Sequence, residues 1–233
     1  SDVVEDAIRQ GARQVLVVGA GFDALSILTA RKHPEVLCLD IDAPATAAAR
    51  QRGVDGAGWR RPNHVIHGAD LSKEPLPDTL RATPWRTDVA SIVIAEGLLM
   101  YQRPEDVRGF FAAVRQSVPA GSRLAFSCMD ADDRGRVRLP VLNRPMQFML
   151  RLVGEPLQWG LRPGDVPAFL SNQGYRPLEQ MVSRELRARY LEPAGLKDEP
   201  LLPYEHLVLA ELVGQQRAAG AAQDGGVADA VAD

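Results

Sequence analysis

QVLVVGAGFD, residues 14–23, decides the fold. Val15 to Val18 form an unbroken apolar run, closed at once by Gly19 and Gly21. Such a run reads as a strand buried on both faces, the signature of a parallel sheet, turning tightly into a helix. Gly19 and Gly21 let the backbone approach a ligand closely, and Gly19-x-Gly21-x-x-Ala24 satisfies the dinucleotide fingerprint with Ala in third place. Asp40 follows Gly19 at the end of the next apolar run, where a carboxylate can accept from both hydroxyls of a ribose.

Working outward, strands and helices alternate. Val3, Val4, Ala7 and Ile8 predict a helix over 2–10. A helix over 22–32, a strand over 35–42, an Ala-rich helix over 44–52, a loop over 53–62 and a strand with its turn over 64–71 come next. A strand over 88–97, an amphipathic helix over 104–118 opened by Pro104 and a strand over 122–130 follow. This order predicts a parallel sheet with right-handed crossovers. Past Asp130 the pattern changes. Residues 140–153 are apolar and predict a helix that could cap the site, with Met146, Phe148 and Met149 as lid residues or plain packing. A short helix over 164–174 and strands over 175–183 and 204–212 close the folded region. The Ala- and Gly-rich stretch 214–233 predicts a disordered tail.

Composition narrows the function. The chain has 233 residues, 45% of them hydrophobic, with Lys+Arg 27 against Asp+Glu 30 and a net charge of −3. That balance argues against a broad nucleic-acid face. No apolar run reaches membrane-spanning length, and the acidic N-terminal residues resemble no leader, so a cytoplasmic location is expected. Cys38 and Cys128 fall in strands and read as small core residues. His33, His64, His67 and His206 read as structural, and no His/Cys/Asp/Glu grouping has metal spacing. Arg52, Arg60 and Arg61 read as a solvated cluster. Trp85 and Trp159, near loops, are candidates for substrate contact.

Two acids favour S-adenosylmethionine over NAD. Asp23 lies directly after the glycine turn, where it would repel a pyrophosphate. Asp70, after the third strand, is placed to accept from an adenine amine. S-adenosylmethionine carries an ammonium and a sulfonium and no phosphate, so an acidic pocket suits it. An NAD-dependent oxidoreductase stays open on the glycine fingerprint and Asp40, although no catalytic Tyr-Lys or His-Asp pair is evident.

IAEGLLMY (94–101), followed by Pro104-Glu105-Asp106, resembles the EGLL-x-Y signature of the leucine carboxyl methyltransferase family. VVGAGFD (17–23), LDIDAP (39–44) and GADL (68–71) are similar to that family's first three motifs, in order. LRPGDVPAFLSNQGYRPLEQ and ELRARYLEP resemble its C-terminal half, so the likeness covers about residues 10–212.

The resemblance implies an α/β, Rossmann-like fold with a seven-stranded, mostly parallel sheet. Its last strand would be antiparallel, with helices on both faces and a small helical cap. It implies one methyltransferase domain over 1–213, with the cap insertion at about 131–165. It further implies S-adenosyl-L-methionine as cofactor, held by Gly19, Ala20, Gly21, Asp23, Asp40, Ile41, Asp70, Leu71, Ala95 and Glu96. Glu96 would face the methionine amine and the donor methyl, and Tyr101 would line the acceptor side. The implied reaction is O-methylation of a small-molecule carboxylate, whose ionised oxygen needs no general base. Neither nucleic acid nor membrane is expected as a partner, and a homo-oligomer stays open. The Ala/Arg/Gly-rich composition suits a bacterial source. Family members carry helices before the first strand that supply an arginine to the cofactor carboxylate. This chain reaches its first strand early, so a partner or a local cation such as Arg134 or Arg136 would replace that arginine, or cofactor binding would be weakened. A fragment of a longer chain and a binding protein without turnover stay open.

Overall fold

The sheet runs in the order β3-β2-β1-β4-β5-β7-β6. A computed structural model describes residues 2–138, 156–201 and 204–214. The strands are β1 (Gln14–Val18), β2 (Leu37–Asp42), β3 (His64–Gly68), β4 (Ser91–Ala95), β5 (Arg123–Met129), β6 (Tyr175–Val182) and β7 (Glu205–Leu212). β7 pairs antiparallel with both β5 and β6, and every other pairing is parallel. The expected seven-stranded sheet with an antiparallel last strand is therefore present. Because the chain winds from β1 toward β3 on one side and from β4 toward β5 on the other, the order reverses between β1 and β4. A crevice opens at that switch point beyond the strand C-termini.

β1 and β4 are buried along their whole lengths, which explains their unbroken apolar runs. Helices α1 (Asp2–Arg9) and α2 (Leu25–Lys32) cover one face, where Val4, Ala7, Ile8, Val15, Val17, Ile92 and Ile94 form a core. On the other face lie α4 (Leu76–Arg81), α5 (Pro104–Ser117) and α6 (Val166–Asn172). Val107, Phe111 and Val114 form the buried stripe of α5. Phe111 is the hub: its ring meets Phe126, Phe169 and Tyr175 edge-to-face at 5.2, 5.1 and 5.5 Å. The Tyr175 hydroxyl donates to the Phe111 carbonyl.

Several boundaries differ from the sequence expectation. The α3 helix (Pro44–Gly56) runs into the stretch expected as loop. Gly53 and Gly56 each cost about 1 kcal/mol in a helix, but extending a formed helix needs no new nucleus. Residues 22–24 precede α2 instead of forming its first turn, and Asp23 Oδ1 there accepts the Leu25 amide in a local bond that competes with the helix. The six-residue α4 was not anticipated; it is too short to show a helical period. Trp85 and Trp159 are core residues, 7% and 5% exposed, not loop contacts. Trp85 Nε1 donates to the Ser117 carbonyl, and Trp159 packs on Phe126 and Phe169. The expected cap helix over 140–153 and the tail beyond Gly214 lie outside the described residues.

Candidate cofactor site at the strand ends

The β1–α2 loop shapes the crevice. Gly19 and Gly21 adopt φ of +70° and +50°, a region that costs other residues about 1–2 kcal/mol. A Cβ on Gly19 would sit 3.0 Å from Leu98 Cδ1, so the loop can approach the β4 turn this closely only with glycine there. The amides of Gly19 and Ala20 both point to the Ile41 carbonyl, tying the loop to β2.

Two cavities meet at Gly19. One, of about 620 Å³, includes Val18, Ile41, Asp42, Asp70, Leu71 and Leu98 in its walls. The other, of about 440 Å³, includes Ala20, Asp23, Ile94, Glu96, Gly97 and Glu205. Both fall within the ~300–1,000 Å³ range of small-molecule sites.

The larger cavity is polar at its rim. Asp42 ends β2, and its Oδ2 accepts the Gly21 amide at 2.6 Å while Oδ1 accepts the Ala43 amide at 2.7 Å. Asp70 accepts from the Ser72 amide and hydroxyl and pairs with Lys73 at 2.6 Å. The Lys73 hydrogen bond, then those from Ser72, hold its carboxyl down to about 2. It is thus a fixed anion.

The smaller cavity gathers three carboxylates, those of Asp23, Glu96 and Glu205. Glu96, exposed at the cavity mouth, is held above the usual carboxylate range, first by partial desolvation from the surrounding protein and then by the Asp23 and Glu205 charges. Burial likewise raises Glu205, opposed by a hydrogen bond from Ser127. The Ser127 hydroxyl also accepts the Gly97 amide, so one β5 side chain fixes both rims. Among the described residues lining this cavity there is no Lys, Arg or His. A cationic ligand group would relieve the mutual repulsion of the three acids.

The structure thus brings together Gly19, Ala20, Asp23, Ile41, Asp70, Leu71 and Glu96 of the expected residues, with Gly21 at the loop tip. Three expected placements need correction or refinement. Asp40 does not face the crevice: it is fully buried on the inner side of β2, where Arg50, His64 and Ser26 all bond its Oδ2. Asp40 and Asp42 share one face of β2. Asp40 lies within the strand, covered by Ser26 of α2 and by Arg50, whereas Asp42 is the last strand residue and stands at the open end. Ala95 is fully buried beneath the floor. Tyr101, on the 3₁₀ turn Leu99–Tyr101, lines neither cavity; its carbonyl accepts Gln158 Nε2 at 2.8 Å. Sequence reasoning missed three site residues, Asp42, Arg50 and Glu205. Only Asp42 carried a signal, as the second acid of Leu39-Asp-Ile-Asp42.

Arg134 and Arg136 are spent elsewhere in part. Asp132 accepts the backbone amides of both and pairs with the Arg136 guanidinium at 2.8 Å. His64 is bound to Asp40, His33 to Glu5, and His206 is buried beside Gln180. The Arg60 guanidinium pairs with Asp55 on the surface.

The same fold recurs in solved methyltransferases. An O-methyltransferase family protein from Burkholderia thailandensis superposes with a TM-score of 0.59 at 15% identity, covering 92% of this chain and 55% of that one. Magnesium protoporphyrin IX methyltransferase from Synechocystis PCC 6803, solved with bound SAH, gives 0.55 at 12% identity, covering 91% of this chain and 80% of that one. The fold is that of the S-adenosylmethionine-dependent methyltransferases. Residues 1–115 match the model of the leucine carboxyl methyltransferase family. A provisionally named S-adenosyl-L-methionine-dependent methyltransferase from Mycobacterium marinum is 28% identical over 208 residues, which are 85% of this chain and 63% of that protein. The chain thus spans less than two thirds of that relative's length. Among the described residues no helix is long and apolar enough to cross a membrane.

Proposed function

We propose that the chain binds S-adenosyl-L-methionine across the two cavities and serves O-methylation of a small-molecule carboxylic acid. The observation that carries this reading is the meeting of the cavities at Gly19, with Asp42 and Asp70 on one side and three clustered carboxylates on the other. The charges fit the group: two separate acids suit a ribose diol and an adenine amine, and the cluster suits an ammonium beside a sulfonium. When bound, the cofactor supplies an activated methyl group.

The chain's own residues then have defined tasks. Asp42 accepts from the ribose hydroxyls. Asp70 accepts from the adenine amine, with Ile41, Leu71 and Leu98 supplying the apolar walls. Glu96 and Asp23 offset the positive charge, and Glu205 completes the acidic wall. A carboxylate acceptor arrives ionised, so no side chain need remove a proton.

Calorimetric titration with S-adenosylmethionine and with S-adenosylhomocysteine tests the reading; an absence of heat from both would overturn it. A second reading, a binding protein without turnover, rests on the absence of a cation among the described residues lining the acidic cavity. Transfer of a labelled methyl group to any acceptor would refute that alternative. Nicotinamide cofactors fit less well, because Asp23 faces the cavity beside the glycine loop; quenching of protein fluorescence by NADH would revive them.

A further inference from the structure

We infer that Arg50 is a positioning residue for the cofactor loop, clamping Gly21 and Asp23 from the core side while Asp42 holds Gly21 from the crevice side. The inference rests on the cofactor reading above and concerns how the loop is kept in shape.

Arg50 sits within α3 and is 5% exposed. Its Nε and Nη2 lie 2.8 and 2.7 Å from Asp40 Oδ2, and Nη2 also donates to the Ser26 hydroxyl at 2.9 Å. Its Nη1 points the other way, donating to the Gly21 carbonyl at 3.3 Å and the Asp23 carbonyl at 2.5 Å. The planar fork is thus divided, one edge for the β2 carboxylate and one nitrogen for the loop backbone. A lysine, with one small cationic head, cannot span both.

Stability alone gives no reason for this arrangement. A buried ion pair is matched or bettered by well-packed apolar residues. This pair is also imperfect: every bond to Asp40 falls on Oδ2, and its buried Oδ1 has no partner. The loop, however, needs outside donors. With Gly19 and Gly21 in left-handed backbone, the Gly21 and Asp23 carbonyls are turned toward Arg50 rather than into a ladder. The two acids of Asp40-Ile41-Asp42 therefore act on one glycine by different routes. Asp42 takes the Gly21 amide directly, and Asp40 fixes the guanidinium that takes its carbonyl. Displacing this loop would reshape both cavities at once, and misplacement by about 1 Å can cost about 10²-fold in function.

The test compares the full chain with Asp40→Asn/Arg50→Met, with Arg50→Lys, and with Leu170→Ala as a core control remote from the loop. The double variant removes both charges, so neither is left buried alone. Hydrogen exchange of peptides covering residues 19–25 is the first readout, and S-adenosylhomocysteine affinity by calorimetry is the second. In the double variant we expect loop amides to exchange at least about 10-fold faster while β1 and β4 stay as protected as in the control, and the dissociation constant to rise at least about 10-fold. Arg50→Lys should fall between parent and double variant, and it carries both readouts if the double variant does not fold. Loop exchange no faster than in the control would overturn the clamp, as would unchanged affinity. A parent that takes up no S-adenosylhomocysteine would sink the cofactor reading, while the exchange readout would still decide the clamp.

Discussion

The Gly21 amide donates to Asp42 Oδ2 across 2.6 Å, joining the glycine loop to the end of β2. Asp40, two residues earlier, turns its carboxylate into the core against Arg50. Mutation should separate the two acids cleanly. Asp42→Ala removes the acceptor of charge-assisted bonds worth ~1.5–3 kcal/mol each. Loss of two bonds to a ribose diol would weaken S-adenosylhomocysteine binding by roughly 10²- to 10⁴-fold, while loss of the Gly21 and Ala43 amide bonds should lower the melting temperature, by less than Asp40→Ala does. Asp40→Ala instead strands a buried guanidinium and should cost about 3–5 kcal/mol of stability. Calorimetry paired with chemical denaturation checks both; a stable Asp40→Ala protein with normal folding would contradict the buried assignment.

The acidic cavity sets a pH dependence. Glu96 and Glu205 hold their protons to higher pH in the folded chain than the ordinary glutamate value of 4.5. The native state then binds more protons than the unfolded state in the window from 4.5 up to the raised values, so stability falls as pH rises through it. Glu96→Gln/Glu205→Gln should flatten that fall and raise the melting temperature at neutral pH. A cationic ligand favours the ionised acids, so cofactor binding should release protons and tighten as pH climbs through the same window. Titrations in buffers of different ionisation enthalpy measure the release, and a pH-independent affinity in the parent would refute the placement of the cationic group here.

How much of this was legible beforehand follows from what each signal depends on. The unbroken apolar runs of β1 and β4 announced a doubly covered parallel sheet, because burial on both faces leaves no polar alternation. Pro104 and the Val107/Phe111/Val114 stripe announced α5 for an equally local reason. The acid of β2 was misassigned because Asp40 and Asp42 share one face, so alternation cannot tell them apart, and only the strand's end, at Asp42, decides which carboxylate reaches the crevice. Arg50 gave no signal, since a buried arginine depends on Asp40, Ser26 and two carbonyls brought together by the fold. Glu205 enters the site only through antiparallel pairing of β7 with β5, which sets it opposite Met129. Trp85 and Trp159 looked like loop residues in sequence, yet the loops that carry them fold back onto the core.

Gly19→Ala should injure both folding and binding. The substitution demands left-handed backbone from alanine, about 1–2 kcal/mol, and sets a methyl 3.0 Å from Leu98 Cδ1. Leu98 belongs to the wall of the larger cavity, so any shift that relieves the contact moves that wall. The expected result is a modest drop in melting temperature with a disproportionate loss of S-adenosylhomocysteine affinity. Gly21→Ala meets open space and should show the backbone cost without the steric one. Equal affinities for the two variants would argue that the Gly19–Leu98 contact does not shape the site.

The cysteines offer a probe of the sheet that is independent of any ligand. Cys38 and Cys128 are both fully buried in β2 and β5, and burial pushes each thiol up to about 12, with the Asp40 charge adding to the rise at Cys38 and those of Glu205 and Asp130 at Cys128. Only the thiolate attacks a disulfide reagent, so native protein at pH 8 should yield no rapidly titrating thiol, against two after denaturation. Reaction in the native state would then report opening of the sheet. Because Cys38 lies two residues from Asp40, Asp40→Ala should speed its labelling ahead of Cys128. Simultaneous labelling of both thiols in that variant would mean that the sheet opens as one unit and that the Arg50–Asp40 pair has no local role in β2.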